Sequence, residues 1–88
     1  MRPRLILVVE DEHNLRELIA HILLLDEHEV DTARDGVEAL YRIERRSYDL
    51  IISDLQMPNL DGPGLYEALR KRFGQELPRV IFVTGHAE

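Results

Sequence analysis

The chain has 88 residues, 44% of them hydrophobic and 32% charged, the balance of one small globular domain and not of a disordered or low-complexity chain. Seventeen acidic against eleven basic residues leave a net charge of −6, which disfavours a nucleic-acid reader, because neutralising phosphates needs a basic face. The absence of cysteine excludes disulfides and thiolate metal sites and agrees with a reducing compartment.

The elements follow from two alternating periodicities. Leu5-Ile6-Leu7-Val8-Val9 is a continuous apolar run, as in a strand buried on both faces. It is too short for a signal-peptide core or a bilayer span, so the expectation is a cytoplasmic protein. Leu15, Leu18, Ile19, Ile22 and Leu23 then recur at helical spacing. Val30 and Thr32 alternate with Glu29 and Asp31, the pattern of a half-exposed edge strand. Val37, Leu40 and Ile43 predict one side of a second helix, ending in Arg45-Arg46, where basic residues are favoured. Leu50-Ile51-Ile52 predicts a third strand, Leu65, Ala68, Leu69 and Phe73 a third helix stopped by Gly74, and Val80-Ile81-Phe82-Val83 a fourth strand. Strands alternating with helices predict an α/β fold with a doubly wound parallel sheet. In open sheets of this kind ligands bind beyond the carboxyl ends of the strands, where the strand order reverses.

Those strand ends carry the chemistry. The first is followed by Glu10-Asp11-Glu12, three adjacent carboxylates that repel one another. Capping of the next helix by Asp11 or Glu12 explains one acid comfortably and three poorly, so at least part of the cluster is expected to be held by a cation or by helix dipoles. The third strand leads into Ser53-Asp54, and the turn chemistry beyond it is already supplied by Pro58, Asn59, Asp61 and Gly62. Central strands sit about 5 Å apart, so if the first and third are neighbours Asp54 approaches Glu10 and Asp11. Such an oxygen-rich site suits Mg²⁺, which takes one or two protein carboxylates and keeps several waters. Thr84-Gly85 follows the fourth strand; alone, a threonine there is an ordinary strand residue.

As an ordered set these blocks resemble the receiver domain of two-component response regulators. The resemblance is carried by Leu7-Val8-Val9-Glu10-Asp11-Glu12, by Asp31 to Leu40, by Asp49 to Gly62 and by Pro78 to Gly85, with a thirty-residue step from Asp54 to Thr84. It implies a flavodoxin-like fold of strand order 2-1-3-4. It also implies that a sensor histidine kinase or a phosphotransfer protein passes a phosphoryl group to Asp54. Glu10 and Asp11 match the acidic pair that holds Mg²⁺, Asp11 directly and Glu10 largely through water, and the main-chain carbonyl of Gln56 matches the remaining protein ligand. Thr84 matches the switch residue whose hydroxyl turns toward the phosphoryl oxygens. Gln56 and His86 fall where the family tunes the lifetime of the phosphate, although His86 reads equally well as a surface histidine. Such a domain catalyses its own phosphorylation and dephosphorylation without being a conventional turnover enzyme. The first-helix histidines, His13, His21 and His28, read as solvated, and Asn14, Arg16 and Glu17 as either a kinase-facing or an ordinary solvated face.

The pattern departs from the family at its end. The family continues with a fifth strand, ending in a lysine that pairs with the phosphoryl group, and with two more helices, whereas the sequence stops four residues after Thr84 and its only lysine is Lys71. The expectation is therefore an incomplete receiver over residues 1–88, with an uncovered fourth strand prone to self-association. A receiver-shaped interaction module that signals by binding alone is the alternative; retention of Glu10, Asp11, Asp54 and Thr84 argues against it, and loss of the lysine region argues for it. A flavin- or nucleotide-binding domain is disfavoured because no glycine-rich loop follows the first strand. Membrane and direct nucleic-acid partners are not expected.

Overall fold

The computed structural model describes residues 3–83. Four strands, β1 (Leu5–Val9), β2 (Glu29–Ala33), β3 (Leu50–Asp54) and β4 (Arg79–Val83), alternate with three helices, α1 (His13–Leu25), α2 (Gly36–Ile43) and α3 (Gly62–Phe73). A short 3₁₀ turn, Gly74–Glu76, follows α3. All pairings among the described residues are parallel and the order is β2-β1-β3-β4, so the sheet reverses its direction of growth between β1 and β3. Thr84, Gly85 and His86 lie outside the described residues. No helix among the described residues is long and apolar enough to cross a membrane.

Alternation along β1 divides its side chains between two layers. Leu7 and Val9 join Ala33 and Ile51 of the sheet with Ala39 and Ile43 of α2 and Leu65 and Leu69 of α3 in one buried cluster. Ile6 and Val8, pointing the other way, are buried together with Ala20 of α1. This is why β1 reads as an unbroken apolar run while β2, at the sheet edge, does not.

Each helix begins on a side chain that satisfies its free N–H groups. Glu12 accepts from the N–H groups of Asn14 and Leu15, Asp35 from Glu38, and Asp61 from Gly64. Gly74 ends α3 with φ of 57°. The second helix differs from the expectation: it stops at Ile43, before Arg45-Arg46, and its buried stripe is Gly36, Ala39 and Ile43 while Val37 stays exposed. The reason is close approach at Gly36, where a Cβ would overlap Leu60 of the loop after β3, so this side of α2 must face inward. Arg46, freed from the helix, bridges Glu29 at 2.8 Å and Asp31 at 2.9 Å. His28 is not solvated either: its ring accepts from the Arg4 N–H at 3.1 Å and lies 3.4 Å from Asp26.

Leu69 is fully buried whereas Leu25 is 71% exposed. Leu69→Ala is expected to cost about 2–5 kcal/mol in urea unfolding, and Leu25→Ala less than about 0.5 kcal/mol.

Candidate functional site

Strand register builds the site. Val9 of β1 pairs with Ser53 of β3, so the next residues, Glu10 and Asp54, stand side by side at the carboxyl end of the sheet. Both are buried, Glu10 with 1% and Asp54 with none of its surface exposed. Asp11, one residue further along the chain, is exposed at the rim. Carboxylate oxygens of Glu10, Asp11 and Asp54 all lie within 4.8 Å of one another. The third acid of the run, Glu12, is turned away to cap α1. The structure thus separates three adjacent acids into one helix cap and two members of a cluster completed from β3.

Main-chain contacts hold the cluster in place. The Glu12 N–H donates to Glu10 Oε2 at 3.0 Å, and the Gln56 N–H donates to Asp54 Oδ1 at 3.4 Å. Arg16 of α1 donates to the carbonyl of Glu10 at 2.9 Å, which ties the start of the β1–α1 loop to the helix. Arg16 therefore has a structural task that its place on a helix face did not reveal. On the other side, the β3–α3 loop returns to its own start, where the Gly62 N–H donates to the carbonyl of Leu55 at 3.2 Å. A Cβ at Gly62 would sit 2.5 Å from the Asp54 carbonyl, so α3 begins directly against the end of β3.

Burial raises the Glu10 carboxyl to about 7, and the neighbouring Asp11 and Asp54 carboxyls push it the same way against the Glu12 N–H. Its Oε1 is buried and accepts no hydrogen bond among the described residues. Buried oxygens of like charge, one of them lacking a donor, fit a hard divalent cation: Mg²⁺ prefers oxygen ligands and would replace the missing donor with positive charge. The Gln56 main chain is close enough to Asp54 to belong to the same site.

Comparison with known proteins bears on this arrangement. The family model of the response regulator receiver domain matches residues 6–88. The probable transcriptional regulator ycf27 of Cyanidium caldarium is 43% identical over 84 residues, which cover 96% of this chain and 32% of that protein. The sensor histidine kinase RcsC of Salmonella typhimurium is 40% identical over 83 residues, 94% of this chain and 8% of the kinase. The chain therefore spans about a third of the regulator it matches and a small part of the kinase. Among solved structures, the response regulator TrrA of Thermotoga maritima, in complex with Mg²⁺-BeF, superposes with a TM-score of 0.86 at 37% identity, covering 96% of this chain and 71% of that one. The chemotaxis protein CheY4 of Vibrio cholerae gives 0.88 at 30% identity, covering 99% and 72%.

The ordinary value for the Glu10 carboxyl is 4.5, so the folded chain holds this proton more tightly than the unfolded one. Stability of the cation-free protein is therefore expected to fall as pH rises through the window from 4.5 to about 7. Glu10→Gln removes the charge; in chemical unfolding without divalent cations it should be more stable than the native chain at about pH 8 by about 1–3 kcal/mol and nearly equal to it at about pH 5.

Proposed function

The chain belongs to the response regulator receiver domain family, and on that premise we propose that it accepts a phosphoryl group on Asp54 from the phosphohistidine of a sensor kinase or a phosphotransfer protein. The observation that carries this reading is the convergence of the Glu10, Asp11 and Asp54 oxygens at the carboxyl end of the sheet. A carboxylate oxygen of Asp54 attacks phosphorus, the new P–O bond forms as the P–N bond to the donor imidazole breaks, and the imidazole keeps the electron pair. Glu10, Asp11 and the carbonyl of Gln56 would hold Mg²⁺ together with Asp54. When bound, the cation supplies positive charge that offsets repulsion between the carboxylate and the anionic phosphoryl group.

The chain's own residues set up the reaction. Parallel register fixes Asp54 beside Glu10, and the Gln56 N–H orients one Asp54 oxygen. The loop that carries Gln56 starts and ends at the base of Asp54, so the nucleophile and the proposed carbonyl ligand are held by the same few residues. Thr84 would bind the phosphoryl oxygens through its hydroxyl and pass the change to the chain beyond it. Homology to the receiver portion of a sensor kinase supports a histidine kinase as partner, and this chemistry belongs in the cytoplasm.

Incubation with Mg²⁺ and a small phosphodonor is expected to add one phosphoryl group by intact mass. Asp54→Asn should abolish the adduct, and so should chelation of the cation. An adduct that survives Asp54→Asn would refute the assignment of Asp54.

A further inference from the structure

One carboxylate away from the cluster makes two different attachments. Asp35 Oδ1 accepts from the Glu38 N–H at 2.8 Å, which caps α2, while Oδ2 accepts from Asn59 Nδ2, also at 2.8 Å. Asp35 is buried, and the Glu38 N–H first, then Asn59, hold its carboxyl below the ordinary range, so both bonds are charge-assisted at neutral pH. Its partner stands in an uncommon conformation. Asn59 has φ of 69°, the left-handed region that costs most side chains energy and that asparagine tolerates best. Next to this pair the Gly36 N–H donates to the carbonyl of Leu60 at 3.1 Å. Two neighbouring hydrogen bonds therefore pin the middle of the β3–α3 loop to the first turn of α2.

Only that part of the loop needs pinning. Its base is closed by the Gly62–Leu55 bond and its exit is fixed by Asp61 capping α3. Gln56 lies between the base and the pinned segment, three residues before Asn59, and its side chain is exposed. Main-chain geometry at Gln56 thus depends on what holds the loop on its far side.

We propose that Asp35 and Asn59 are positioning residues for the cation site, fastening the β3–α3 loop so that the Gln56 main chain keeps its place beside Asp54, where its carbonyl would serve as a ligand. The proposal rests on the reading above, in which Glu10, Asp11, Asp54 and that carbonyl hold a divalent cation. Neither residue touches the cation; both act through the loop.

Mg²⁺ binding measured by titration calorimetry tests it, with thermal melts in parallel to verify folding. Asp35→Ser keeps a good helix cap but is too short to reach Asn59, and Asn59→Asp keeps a residue that tolerates the backbone but sets two carboxylates face to face. Each is expected to weaken Mg²⁺ binding about tenfold, as loss of supporting contacts commonly does at metal sites. Exchanging the two, Asp35→Asn with Asn59→Asp, rebuilds the bond in reverse while the introduced amide oxygen still caps α2, and is expected to return the affinity close to native. Asn59→Gly relieves the backbone and deletes only the bond, so it should remain folded and bind weakly. A purely electrostatic role predicts otherwise: Asn59→Asp would add negative charge and tighten binding. Tighter or unchanged binding in Asn59→Asp, or unchanged binding in Asn59→Gly, overturns the proposal while leaving the cation site standing. A folded native chain that binds no Mg²⁺ overturns the cation reading and the proposal with it.

Discussion

The structure turns on two carboxylates held out of water side by side. Parallel pairing of Val9 with Ser53 leaves no choice about it: the residues that follow emerge together, and here both are acidic. Burying one carboxyl is costly, and burying two within a few ångströms is costlier, because like charges that close repel one another. The fold accepts this at the point where its sheet reverses direction, the place where an α/β sheet can open a crevice without interrupting its ladder. A cluster of this kind is poorly suited to stabilising the chain and well suited to receiving positive charge.

Around that pair the local structure is unusually well fastened for loops. Arg16 reaches from α1 to the Glu10 carbonyl, Glu12 turns back to cap its helix, and the segment after Asp54 is joined to α2. Rigid support would matter for the proposed cation site, because such a site tolerates little displacement of its ligands. The apolar layers below, Leu7, Val9 and Ile51 against α2 and α3, supply the base on which these attachments stand.

Much of this was legible in the sequence for plain reasons. The apolar runs of β1 and β3 are strong signals because both strands are buried, and acids placed directly after such runs have to appear at the mouth of the sheet. The order of the strands came with the resemblance to receiver domains, and once β1 and β3 are neighbours the meeting of Glu10, Asp11 and Asp54 follows. What escaped depends on contacts between residues distant in the chain. Val37 has the right spacing for the core, yet the approach of Leu60 to Gly36 rotates α2 and leaves Val37 outside. His28 and Arg16 look like surface residues until their main-chain partners are known. Asp35 and Asn59 each read locally as cap and turn residues; their bond spans 24 positions and has no periodic signature.

The segment from Leu55 to Gly62 leaves the sheet and returns to its starting point, with a hydrogen bond across its neck. It is a small Ω-loop. A closed neck separates two kinds of change. Substitutions at the crown, around Pro58 and Asn59, alter how the loop is held against the start of α2 and can do so without displacing the strand below. Substitutions at the neck, Gly62 above all, push directly on the Asp54 main chain, where even a methyl group has no room. The crown is therefore a region in which the loop's attachment can be tuned by degrees, and the neck one in which any change disturbs the Asp54 main chain itself.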